Sequence, residues 1–153
     1  MSQLEDFHTA HVYTEISFYR GSLNYFDAVT ILFESPSPCP MDVFGFLVSH
    51  SLELALKAYL VKKGKSESEI FKISHNLEWA WSLSQKLGLK IEHPIPQWCK
   101  MLNSAHSKTL YFRYAKTNTA LITSSKQDMY DRLNAVLNLV GSEVNVNRNG
   151  NVA

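Results

Sequence analysis

The chain has 153 residues, a formal net charge of +1, 45% hydrophobic residues and 19% charged residues. That length suits one domain with its own core, and the balance is that of a globular chain, not a disordered one. A charge so near neutral argues against a broad basic surface for duplex nucleic acid, while leaving room for a local basic cleft. The cysteines, Cys39 and Cys99, form no close-spaced metal motif and no disulfide framework, so both are expected as free thiols. No leader pattern is read in the sequence, and no apolar run reaches the ~18–20 residues of a membrane span. The expectation is a cytoplasmic protein without a membrane segment.

The first strong period is Ile16, Tyr19, Leu23, Phe26, Thr30 and Phe33, whose steps of three and four keep one helix face apolar. Ser2 and Glu5 form a capping-box pattern upstream, so this helix starts near residue 3 or comes in two pieces. Pro36, Pro38 and Pro40 end it, because proline removes a backbone donor and clashes with the preceding turn. A second helix is predicted over residues 41–63. Val43, Leu47, His50, Leu54, Ala58 and Val61 form one stripe, and Phe44, Val48, Ala55 and Tyr59 an adjacent one. Two stripes make a wide buried face, as in a central bundle helix. A third helix covers residues 76–87, capped by Ser74 or Asn76 and ended by Gly88. A fourth follows Pro94 and Pro96, with Trp98, Met101, Leu102 and Ala105 inward. Residues 107–123 show no clean period. A last helix opens at Ser125 and turns Met129, Leu133, Val136, Leu137 and Val140 to the core. The fold class is therefore all-α: an antiparallel bundle of four or five helices without a β-sheet. Residues 1–144 form one domain, and residues 145–153 a polar, loose tail.

Three polar groups stand out. His50, Glu53 and Lys57 share a helix face by their steps of three and four. They either line a cleft for an anionic or adenine-like ligand or form a surface ion pair beside a core histidine, and the second reading is slightly preferred. His75 and Asn76 open a helix, where backbone N–H groups attract anions, although simple capping by Asn76 is preferred. Arg113 lies among Tyr111, Phe112 and Tyr114, with Lys108 and Lys116 flanking it. Aromatics interleaved with cations could stack a base and hold a phosphate, or anchor a loop with Arg113 paired to a carboxylate such as Glu53. His8 and His11 lack a third ligand at recognisable spacing, so no metal site is expected. No phosphate-binding glycine loop and no nucleophile elbow is present.

The stretch from Leu47 to Leu60, then His75-Asn76-Leu77, then Phe112-Arg113-Tyr114, resembles in order and spacing the helical HEPN family over roughly residues 15–142. The resemblance implies a helical bundle that often dimerises. It implies either an RNase of a toxin–antitoxin or defence system, or a non-catalytic binding module that partners a nucleotidyltransferase or binds a nucleotide. Nuclease members carry an Arg followed after four to six residues by a His. Here Asn118 holds that place downstream of Arg113, and an amide cannot exchange protons near neutral pH. The expectation is a binding or regulatory module without catalysis and without a cofactor. It would be a homodimer that recognises a nucleotide, RNA or a protein partner through His50, Glu53, Lys57, His75, Asn76, Arg113 and Tyr114. The alternative is a diverged RNase using Arg113 and a histidine from elsewhere.

Overall fold

A computed structural model describes residues 13–112, 114 and 121–153. Among them the chain is all helical. The helices are α1 (Glu15–Glu34), α2 (Met41–Lys62), α3 (Glu67–Ile73), α4 (Leu77–Lys86), α5 (Gln97–Asn103) and α6 (Lys126–Val144), and a π turn over Ser104–Lys108 continues α5. No strand occurs among the described residues, only an isolated bridge between Val146 and Val152.

The count exceeds the expected four or five because of α3, which periodicity did not reveal. Seven residues are too few to show a helical repeat, but they are started by a capping box. Ser66 Oγ accepts from the Glu69 backbone N–H, and the Glu69 carboxylate accepts from the Ser66 N–H. Ile70 and Ile73 then dock on the core. The first helix begins at Glu15 behind the cap Thr14, whose hydroxyl accepts from the Ser17 N–H. The upstream pattern at Ser2 and Glu5, with His8 and His11, lies outside the described residues.

Helix α2 is the centre, in contact with α1, α6, α4 and α3. Thirteen of its residues are buried, among them Phe44, Val48, Leu52, Leu56, Tyr59 and Leu60. Most of its apolar surface is buried within one chain: of its large apolar side chains only Val43 is exposed, while Met41, Phe46, Leu47, Leu54 and Val61 are half-buried. Among the described residues it is also the one helix long and apolar enough, by length and composition, to cross a membrane. The sequence expectation missed this because Glu53 and Lys57 interrupt the apolar run, and in the fold most of the helix is buried.

Small residues bring α1 close to α2. Ser22 Oγ donates to the Ser51 carbonyl at 2.7 Å, and Ser51 Oγ donates to the Ser22 carbonyl at 2.9 Å. Both hydroxyls are buried and satisfied, so the close approach leaves neither unpaired. On the other side, Tyr19 Oη donates to the Leu137 carbonyl of α6 at 2.9 Å.

The tail is not loose. Asn145 ends α6 in the left-handed region at φ 63°, and Val146 turns back into the core with 3% of its surface exposed. Arg148 lies over the Phe26 ring at 4.6 Å and donates to the side-chain oxygens of Asn134 and Asn138. Composition hid this, because one buried valine and one arginine tie down a segment that is otherwise polar.

Candidate functional site

Glu53 lies in the middle of α2 and is almost wholly buried, at 3% exposure. A buried carboxylate is costly unless it is paired, and four side chains from three parts of the chain surround this one. Lys57, one turn on, donates from Nζ to Oε1 at 2.8 Å. His75 approaches from the α3–α4 turn, its Nδ1 3.1 Å from Oε2 and 3.3 Å from Oε1. His106 comes from the π turn, its Nε2 2.7 Å from Oε2. His50, one turn back on α2, holds Nδ1 3.9 Å from Oε2.

Local structure explains each placement. The steps from 50 to 53 to 57 keep those side chains on one face of α2. Ser74 takes φ 53°, a conformation that turns the chain sharply between α3 and α4 and carries His75 to Glu53. The π turn widens the end of α5, and its His106 is completely buried. Such insertions into a helix cluster at functional positions. Gly45 helps to seat the segment that follows, because a Cβ there would stand 2.6 Å from the Phe112 ring. Only a glycine lets that ring lie against α2.

Burial acts most strongly on the Glu53 carboxyl and pushes its pKa up. The hydrogen bond with His106 and the charge and hydrogen bond of Lys57 outweigh it, and the pKa falls to about 2. The carboxylate is therefore ionised near neutral pH. An ionised carboxylate only accepts, so His75 Nδ1 and His106 Nε2 are the donors in their contacts. Both oxygens are engaged.

The cluster opens on a cleft of about 340 Å³ bounded by the start of α1, by α2 and by α3. Tyr13, Phe18 and Phe71 form an aromatic wall, with Tyr13 stacked on Phe18 at 5.4 Å and edge-on to Phe71 at 6.2 Å. His50, Lys57 and Lys65 supply the polar lining, with Glu53 and Glu67.

The chain matches no protein-family model, no curated protein and no solved structure.

Of the residues expected to bind a ligand, the structure gathers His50, Glu53, Lys57 and His75. The surface-pair reading of Glu53 and Lys57 is overturned, since both are buried. Asn76 serves as the cap of α4, accepting from the Trp79 N–H at 3.0 Å. The next N–H, of Leu77, donates to Asn103 Oδ1 at 2.8 Å, so this helix start is largely occupied by the protein's own side chains. Tyr114 is 67% exposed, and among the described residues no hydrogen bond or ring contact joins it to the cluster. Arg113, and with it the expected cleft shared by Glu53 and Arg113, lies outside the described residues. So does Asn118. His106 was missed: it sits 53 positions from Glu53, and a π turn obeys no helical period.

Proposed function

We propose that this chain is a non-catalytic, HEPN-like module that binds a nucleotide-like ligand in the cleft beside Glu53. The observation that carries the reading is the aromatic wall of Tyr13, Phe18 and Phe71 set against Lys57, Lys65 and His50 in one cleft. A planar base stacks on aromatic rings, and ammonium groups pair with phosphate. A volume of about 340 Å³ falls at the small end of ligand sites, the size of one nucleotide rather than a strand. The all-helical order and the residues from Leu47 to Leu60 support the HEPN assignment. A second copy or a nucleotidyltransferase is the corresponding candidate partner, and that part rests on the resemblance.

Isothermal titration of the protein with ATP, ADP and AMP tests the reading. Saturable binding of at least one is expected. Phe71 is 63% exposed, so Phe71→Ala leaves the fold intact, and the loss of one stacking contact should weaken binding by about 1–3 kcal/mol. No saturable binding at millimolar nucleotide, or affinity unchanged in Phe71→Ala, ends the reading.

One observation favours an RNase instead: His106 sits 2.7 Å from Glu53 and supplies an imidazole in place of the one missing after Arg113. Its complete burial argues against this, because a general base must reach the 2′-hydroxyl it deprotonates. Incubation with single-stranded and structured RNA in chelator should therefore show no cleavage. Cleavage lost in Arg113→Ala and in one of His50→Ala, His75→Ala or His106→Ala would establish the RNase reading.

A further inference from the structure

We propose that Glu53, His50 and His106 form a binding site for a divalent transition metal of the zinc class. The proposal goes beyond the nucleotide reading and stands without it. His50 Nδ1 or Nε2, a Glu53 carboxylate oxygen and a ring nitrogen of His106 lie within 4.8 Å of one another. Ligand atoms each about 2.0–2.2 Å from one zinc ion are separated from each other by roughly 3–4 Å. The distances from Glu53 Oε2, 2.7 Å to His106 Nε2 and 3.9 Å to His50 Nδ1, bracket that separation. Closing the His50 distance and opening the His106 one would bring all three onto one ion.

The carboxylate is prepared for one-oxygen ligation. Lys57 holds Oε1 at 2.8 Å, while Oε2 faces the imidazoles. Metal ligands that are oriented by a neighbouring hydrogen bond in this way bind more tightly. His75, 3.1 Å from Oε2, is a further support on the same carboxylate. For His106 Nε2 to ligate, the proton it donates to Oε2 passes to solvent and the other ring nitrogen, Nδ1, takes one up, so that the ring stays neutral and the Nε2 lone pair and the carboxylate are both free for the ion.

The donor set decides the class of metal. Two imidazoles and a carboxylate suit zinc and its transition-metal neighbours, whereas magnesium and calcium prefer all-oxygen sets. Three protein ligands leave a position open, as in zinc sites that take water or substrate. His50 and Glu53 also line the cleft, so an ion held by them is reached from it.

The test uses the full chain, stripped with chelator and dialysed against zinc, with metal content and affinity measured and no nucleotide present. One zinc per chain is expected. Cobalt(II) in its place should give the visible absorption of a four- or five-coordinate ion. His50 has a side chain 22% exposed, so His50→Ala should keep the parent circular dichroism. Loss of that ligand should weaken zinc at least about tenfold, as should Glu53→Gln. A His8→Ala/His11→Ala double variant should bind zinc as the parent does. The proposal is overturned if the folded parent holds no stoichiometric zinc and gives no cobalt spectrum. It is equally overturned if a folded His50→Ala binds as tightly as the parent, or if the His8/His11 variant loses the metal. None of these outcomes touches nucleotide binding, which is measured separately.

Discussion

Glu53 shows how one side chain can be costly alone and stabilising in company. Its carboxyl pKa is about 2 in the folded chain against an ordinary 4.5, a depression that outlasts the upward push of burial. A group with a depressed folded pKa contributes stability above its unfolded pKa and loses it as pH falls through the folded value. The window here runs from about pH 4.5 down to about 2, and the loss across it amounts to roughly 3 kcal/mol. Urea midpoints measured from neutral pH to pH 2.5 should fall steeply through that window in the parent and less steeply in Glu53→Gln. The variant should also start lower, by about 3–5 kcal/mol, because it leaves Lys57 buried without its counter-charge. At the same scale, burial, aided by the charge of Glu78, pushes the Cys99 thiol up to about 12. Thiolate is the reactive form, so a thiol reagent in mildly alkaline buffer should label Cys39 in the native protein. It should reach Cys99 only after unfolding, and rapid labelling of both would contradict the buried placement.

At the scale of elements, the bundle depends on a few close approaches along α1, α2 and α6. Gly141 of α6 faces Tyr19 of α1, and an added Cβ would collide with the Tyr19 hydroxyl and ring and press on the Val146 carbonyl. Tyr19 is completely buried and donates to Leu137, so it has no free direction in which to yield. Alanine gains about 1 kcal/mol of helix propensity, but overpacking of this kind costs about 1–3 kcal/mol and the displaced hydroxyl loses its acceptor. Gly141→Ala should therefore be net destabilising, by about 1–3 kcal/mol in chemical denaturation. A variant as stable as the parent would mean that α1 and α6 are packed less tightly than described. The π turn belongs to this scale too. It departs from the α-helical period at the point where His106 meets Glu53, so a regular repeat there would carry the imidazole elsewhere.

For the whole molecule, the polar tail behaves as part of the domain. Val146 buries its side chain, Arg148 stacks on Phe26 and bonds two asparagines of α6, and Arg20 of α1 donates to the Gly150 carbonyl at 2.7 Å. Burying one valine is worth about 1.5–3 kcal/mol, and a partly desolvated arginine over a ring about 1 kcal/mol more. Ending the chain after Val144 should lower stability by roughly 3 kcal/mol, read from denaturant midpoints. An unchanged midpoint would return the tail to the status of an appendage.

The sequence by itself determined the all-helical class, the extent of α2 to within a residue or so, the start of α6, and the shared face of His50, Glu53 and Lys57. All of these follow from local rules: a period of 3.6 residues, prolines that stop helices, and hydroxyl or amide caps that start them. Only the tertiary structure decided that this face turns inward, that His75 and His106 converge on Glu53, and that Tyr13, Phe18 and Phe71 wall a cleft beside it. Those contacts join residues 22 and 53 positions apart across a strained turn and a π insertion. Periodicity records which side of a helix a residue takes, not which distant turn will meet it there. A glutamate beside a lysine on a helix reads the same whether it is solvated or buried. The packing of α1, α4 and α6 around α2 is what distinguishes the two.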